Sequence, residues 1–281
     1  MTTEQKENIV TELQAICSKD SQKKTAKRAN VSTATISQML NQNWDLIAEE
    51  MWRKVQIALR IDFDWNTAET FNFKMLQRLL QNTQADSISI AVAHNAGAGK
   101  SYAYQYYERR NKNVIYLQCK TFWTRKEYIQ NLCTACGLND NGKVAELVAR
   151  FITHLQGLNK ALVIIDQIDK LNNGSIDLFM DFYNDLDRYC GFLVSGVPAL
   201  KKKVLRGCQN DKPGYKEFYS RIGNAFFYLN KMTEKDVSLI CQQNGVNDSQ
   251  FINEVFNTCN DDVRVVRRKI DKYFIANKKA A

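Results

Sequence analysis

Proline is almost missing from this 281-residue chain, which has two, and glycine is sparse, with twelve. So little of either leaves no room for long flexible or proline-stiffened linkers. Histidine is just as scarce, with two, so a histidine-rich metal centre is not expected. The eight cysteines follow no regular spacing. Cys133 and Cys136 are the only close pair, and neither a zinc site nor a disulfide framework is expected from them. Their plain reading is reduced thiols in a bacterial-type cytoplasm. No apolar run reaches the length of a bilayer span, and the polar N-terminus lacks the pattern of a secretory signal. No membrane role is therefore expected.

What is present is ordinary for a globular protein: 44% hydrophobic and 25% charged residues, in a length that suits one or two domains. The net charge of +9 is unevenly placed. Arg264, Arg267, Arg268, Lys269, Lys272, Lys278 and Lys279 crowd the C-terminus, and Lys201, Lys202, Lys203 and Arg206 form a second cluster. A solvated face explains any one cluster. Together, in so basic a chain, they point to an anionic polymer, with nucleic acid the first candidate.

One stretch carries definite chemistry. His94-Asn95-Ala96-Gly97-Ala98-Gly99-Lys100-Ser101 follows the apolar run Ile88–Ala93 and precedes a segment, Tyr102–Arg110, that can be helical. A strand, a glycine-rich turn and Lys-Ser opening a helix is the layout of a phosphate-binding loop. Gly97 and Gly99 remove side chains that would keep backbone N–H groups away from a polyphosphate. The helix start adds unpaired donors and a positive dipole end. Lys100 is placed to reach the β- and γ-phosphates of ATP, and the Ser101 hydroxyl to hold Mg2+. Tyr102 completes the expected nucleotide-binding set. The pattern departs from its usual form at His94, where a first glycine is customary.

A second motif supports the first. Ala161–Asp166 is an apolar run ending in a carboxylate, as in a strand buried on both faces of a parallel sheet. Asp166 would sit at the C-terminal end of that strand, where such sheets bind ligands, and orient a Mg2+-bound water. The next residue is Gln167, where nucleotide hydrolases of this type carry Glu. An amide keeps the shape but does not accept a proton as a carboxylate does. The chain is either a variant with Glu replaced, which traps bound ATP, or a naturally slow enzyme; the intact surroundings favour the first. ATP hydrolysis by this chain is expected to be deficient.

The first sixty residues read as a separate helical unit. Thr2 and Gln5 form a capping box, and Ile9, Val10, Leu13 and Ile16 mark one face of the helix that follows. Ala26, Asn30, Val31, Ser32 and Ile36 then set a small-residue crossing, a left-handed turn, a helix cap and two plugs. This resembles the helix-turn-helix of phage-repressor-type DNA-binding domains. The resemblance implies that Thr33, Thr35 and Gln38 face base edges or phosphates, and that Gln22, Lys23, Lys24 and Lys27 lie nearer the DNA backbone.

Residues 61–86 read as a docked connector and a helix, rich in Trp65, Phe71 and Phe73; Trp65–Thr70 walls an adenine pocket or packs in a core. Beyond it, strands at Val114–Leu117, Ala161–Asp166 and Phe192–Ser195 alternate with helices at Arg125–Cys136, Lys143–Leu155 and Asp177–Tyr189, which makes an α/β sheet. After Thr233 the pattern is helical. A parallel-sheet P-loop domain followed by a small helical lid is the layout of AAA+ ATPases. The expected division is 1–60 helix-turn-helix, 61–86 connector, 87–230 AAA+ sheet domain and 231–281 lid with a basic tail.

Residues 66–275 resemble an AAA+ module, and with the repressor-like N-terminus the chain resembles the ATPases that select DNA targets for transposases, the family of the phage Mu B transposition protein. The resemblance implies further roles. Ser195 would be the polar group that contacts the γ-phosphate or attacking water. Arg221, in Phe218–Gly223, would be the finger reaching a neighbouring subunit's nucleotide. Arg264, in Asn260–Arg264, would contact phosphate in its own chain. It further implies ATP and Mg2+ as cofactors, a homo-oligomeric ring or helical filament, double-stranded DNA as the track, and a transposase as the partner. Lys120, Thr121, Arg125 and Lys126 are candidate inner-surface DNA contacts. A helicase loader and a nucleotide-sensing transcription regulator are the alternatives.

Overall fold

The computed structural model describes residues 1–280; the side chains of Asn173, Ser175, Ile176 and Lys278–Ala280, and with them the last two cations of the basic tail, lie outside the description. The chain opens with four helices: α1 (Thr3–Cys17), α2 (Gln22–Ala29), α3 (Thr33–Leu40) and α4 (Glu49–Leu59). Thr2 and Gln5 form the capping box of α1. Asn30 ends α2 in the left-handed region, at φ 52°, and Ser32 accepts the Thr35 amide to start α3. Asn tolerates that φ better than a branched residue would. Ile9, Leu13, Ile36, Met39, Trp52 and Val55 close the core of this unit with no exposed surface.

The unit does not hang free. Arg28 on α2 pairs with Glu108 at 2.7 Å, and Lys27 with Asp140 at 3.0 Å. Lys24 pairs with Asp20 at 2.7 Å, and its backbone lies so close to Gly137 that a Cβ there would meet it at 2.9 Å. Of the lysines expected on DNA phosphates, Lys23 is exposed. Lys24 and Lys27 are partly exposed, and each is ion-paired with a carboxylate of its own chain.

Four strands, β1 (Ser89–Ala93), β2 (Val114–Gln118), β3 (Ala161–Asp166) and β4 (Cys190–Gly196), make a parallel sheet in the order β1-β4-β3-β2. Phe227 extends it on the open side of β1, where its amide donates to the Ala91 carbonyl and its carbonyl accepts from the Ala93 amide. Helices α5 (Phe71–Asp86), α6 (Lys100–Arg110), α7 (Arg125–Ala135), α8 (Val144–Gln156) and α9 (Asn173–Leu186) lie between or before the strands, and α10 (Pro198–Gln209) and α11 (Tyr215–Arg221) follow β4. β3 and β4 are buried along their whole length, as a central parallel strand must be. Their order places β1 and β3 on either side of β4, so the loops after all three open on one edge.

Three last helices, α12 (Glu234–Gln243), α13 (Ser249–Thr258) and α14 (Val263–Ala280), share a separate core of Val237, Ile240, Val246, Val255 and Val266. Residues 61–70 join the three parts. Ile61 and Phe63 pack with the N-terminal core, and Trp65 and Ala68 with the C-terminal helices. Asn66 exchanges hydrogen bonds with Asn244, and Thr67 meets the Tyr102 hydroxyl at 2.5 Å. Among the described residues, no helix is long and apolar enough to cross a membrane.

Candidate functional site

β1 ends at Ala93, and the six residues after it turn back into α6. Gly97 and Gly99 both take positive φ, +88° and +82°. A side chain is strained at either position, and at Gly97 a Cβ would also meet the Asp262 carboxyl carbon at 2.2 Å. No side chain caps the N-terminus of α6. Its first N–H groups are therefore the donors a phosphate would take. Lys100 is buried, and its Nζ donates to the His94 and Asn95 carbonyls at 2.7 and 2.8 Å. Burial pushes its ammonium below the usual lysine range, while Asp166 and Asp169 pull it back up. Burial, then the Lys100 charge, also holds His94 below the ordinary imidazole range. The imidazole thus favours its neutral form beside the loop.

The end of β3 faces this loop. Asp166 is almost wholly buried and is gripped from three sides. Ser101 Oγ donates to its Oδ2 at 2.5 Å, the Tyr116 hydroxyl to the same oxygen at 3.1 Å, and Ser195 Oγ to Oδ1 at 2.7 Å. Ser195 has no exposed surface. The hydroxyl expected on the γ-phosphate is thus engaged with Asp166, one step back from the cavity. Gln167 sits in the left-handed region at φ 58°, and its amide oxygen accepts from Lys170.

The loop, Asp166 and Gln167 border a cavity of about 570 Å3, a size that suits a small organic ligand. Trp65, Ala68, Phe73, Leu76, Tyr102 and Ile240 give it an apolar end, so the connector both walls the cavity and packs in a core. Arg264 and Arg267 enter from α14. Arg264 forms a fork on Asp262, with Nη2 to Oδ2 at 2.6 Å and Nε to Oδ1 at 2.9 Å. That hydrogen bonding holds the Asp262 carboxyl below the usual range. Val263 N–H reaches the Gly97 carbonyl at 2.9 Å, so the C-terminal helices rest on the loop itself.

Several groups escaped the sequence reading. Asp169, in the short turn Ile168–Lys170, also borders the cavity, and its Oδ1 is buried without a hydrogen-bond partner. Burial raises its carboxyl above the usual range. Gly196 makes room for it, since a Cβ there would meet that oxygen at 2.3 Å. Arg267 pairs with Asp62 at 2.5 Å and lies 5.0 Å from the Trp65 ring. The three-residue spacing from Asp166 to Asp169 was the available signal for the first; nothing local marks Asp62 for Arg267.

Other expected residues lie away from the cavity. Arg221 rests on Tyr183 at 4.9 Å and bonds Asn184 and Glu217. It does not border its own chain's cavity. Thr33 is exposed, with Thr35 and Gln38 partly so. Lys120, Thr121, Arg125 and Lys126 are exposed around the start of α7, where Arg125 approaches Asp181 at 3.6 Å. Cys133 and Cys136 are buried, the latter's thiol pushed up to about 12 by burial, and among the described residues no cluster suits a metal ion.

No curated protein matches this chain. A solved structure described as the crystal structure of a DNA replication initiation factor is similar at 13% identity and a TM-score of 0.49, over 77% of this chain and 64% of that one. The chain thus spans less than two thirds of that structure's length. The family model described as AAA domain matches residues 84–204. The matched segment runs from the end of α5 through the glycine loop, β3 and β4, and it is an AAA-type P-loop domain, a kind that binds nucleotide.

Proposed function

We propose that this protein is an ATP- and Mg2+-dependent DNA-binding ATPase that assembles on target duplex and delivers it to a transposase. The observation that carries the nucleotide part is the pairing of the uncapped α6 start with the Ser101–Asp166 contact. The first offers backbone donors to phosphate, and the second offers two hard oxygens to a divalent cation. Ser101 and Asp166 would hold Mg2+, which would neutralise charge on the β- and γ-phosphates. Lys100 would bind those phosphates, Arg264 would exchange part of its Asp262 fork for them, and the apolar end of the cavity would take the base. Tyr116 and Ser195 fix the orientation of Asp166. Gln167 leaves the attacking water without a strong base, which makes hydrolysis slow.

The DNA part is supported by the net charge of +9 and by exposed cations at Lys120, Lys126, Lys202, Arg206, Arg268 and Lys272. Such contacts neutralise phosphates without reading bases. Arg221, lying off its own cavity, is available to act across a subunit boundary, and a head-to-tail contact of that kind builds rings or filaments.

Duplex binding is therefore expected to require ATP, to tolerate any sequence, and to weaken steeply as salt rises, because each neutralised phosphate releases a counterion. A titration of labelled duplexes across salt concentrations, with and without ATP, checks this. Protection of one short site without ATP would support a transcription regulator instead. Capture of a hexameric helicase rather than a transposase would support a helicase loader.

A further inference from the structure

The turn after β2 exposes an aromatic ring, Phe122, beside the cation of Lys120. Phe122 is 69% exposed, yet its neighbours on both sides are anchored: Cys119 and Trp123 are buried. The Trp123 amide closes the turn on the Lys120 carbonyl at 3.3 Å, and Thr124 caps α7 immediately afterwards. The ring is held out by a built turn and is not the tip of a loose loop. Lys120 Nζ lies 5.6 Å from the Phe122 ring. Arg125 and Lys126 occupy the first turn of α7, where a helix usually prefers acidic residues. Their charges add to the positive end of the dipole; Glu127 in the same turn is taken up by the Thr124 cap, and Arg125 lies 3.6 Å from Asp181.

The turn is also tied to the nucleotide site. The Cys119 amide donates to the Asp166 carbonyl at 2.9 Å, and Gln118, one residue earlier, borders the cavity. The base of the turn is thus bonded to the backbone of Asp166, which borders the cavity.

We propose that Phe122 is a base-stacking wedge, inserted between base steps of duplex DNA while Lys120 and Lys126 hold the flanking phosphates. This rests on the DNA-binding reading above and goes beyond it, because a ring between base steps unstacks them, which phosphate contacts need not do. An apolar ring among cations matches DNA on both counts: phosphates take the charge and base faces take the ring. An acidic protein surface would match the cations and leave the ring unused. ATP would then set how firmly the wedge is presented.

The test uses the full chain with Mg-ATP and a duplex carrying 2-aminopurine, whose fluorescence rises when its neighbours unstack. The wild-type chain is expected to raise that fluorescence severalfold on binding. Phe122→Ala is expected to lose the rise and to bind about tenfold more weakly with an unchanged salt slope. Phe122→Tyr is expected to restore the rise. Lys120→Ala and Lys126→Ala are each expected to reduce the salt slope by about one. Phe122 is exposed, so unchanged ATP-analogue affinity serves as the folding control. Duplex binding with no fluorescence change, or a Phe122→Ala variant indistinguishable from wild type, overturns the wedge and leaves DNA binding standing. No duplex binding at any salt overturns both, and capture of polyglutamate instead would assign the surface to an acidic protein.

Discussion

Lys100→Ala is expected to weaken binding of a fluorescent ATP analogue by about a hundredfold or more. The ammonium is one of the few buried charges in the sheet domain, and it is held over the loop by two carbonyls, at His94 and Asn95. Charged hydrogen bonds are each worth about 1.5–3 kcal/mol. Losing one to each of two phosphates removes about 3 kcal/mol at the low end, which is about a hundredfold in affinity. Burial already holds the ammonium below its usual range. Phosphate beside it would favour the charged form. A thermal melt of the variant separates this from unfolding. An affinity unchanged by the substitution would remove Lys100, and with it the loop, from nucleotide binding.

The second large effect is expected at Gln167. Gln167→Glu should raise ATP turnover by about two to four decades, the range a positioned general base supplies. The backbone there is in the left-handed region and the side chain already meets Lys170. A glutamate in the same place would gain a cation partner and stay ionised. Asp169 does not substitute for it, because its Oδ1 is packed against Gly196. Single-turnover hydrolysis measured with both forms checks the point. Equal rates would mean that Gln167 does not limit the chemistry.

Much of this architecture was legible because it is local. The strand–loop–helix order at residues 89–110, the capping residues Thr2 and Ser32, and the buried stripe of α1 all follow from short spacings. The turn at Asn30 was readable for the same reason. Helix α10 was not read, although Leu200 and Val204 repeat at helical spacing; three successive lysines within it read as a charge cluster instead. The pairing of Phe227 with β1 was missed because a single bridge leaves no alternation to detect.

At the site, the sequence placed Gly97, Gly99, Lys100, Ser101 and Asp166 within reach of one another, and the structure brings them together. What it could not show were contacts between distant segments. Asp262 rests on Gly97, Arg267 bonds Asp62, and Lys27 turns to Asp140, each across a gap of more than a hundred residues. No propensity or motif encodes such pairs, because they depend on how three cores meet. For the same reason Ser195 was expected at the phosphate and lies behind Asp166. A strand end fixes a position but not the hydrogen bond its side chain chooses.

Those long-range contacts also say how nucleotide could reach the rest of the chain. The connector touches the N-terminal core at Ile61, the C-terminal helices at Trp65 and the loop helix through Thr67. Of these contacts, Trp65 also borders the cavity. Arg221 is held by an amide and a carboxylate on α9 and α11 and does not border its own chain's cavity.

Electron microscopy of the chain with duplex DNA, with and without ATP, tests the central claim most directly, with Arg221→Ala run beside the wild type. Regular rings or filaments are expected only when ATP and DNA are both present. They should be lost in Arg221→Ala while single-protomer nucleotide affinity stays nearly intact. Isolated protomers under all conditions, or normal assembly by Arg221→Ala, would contradict the account.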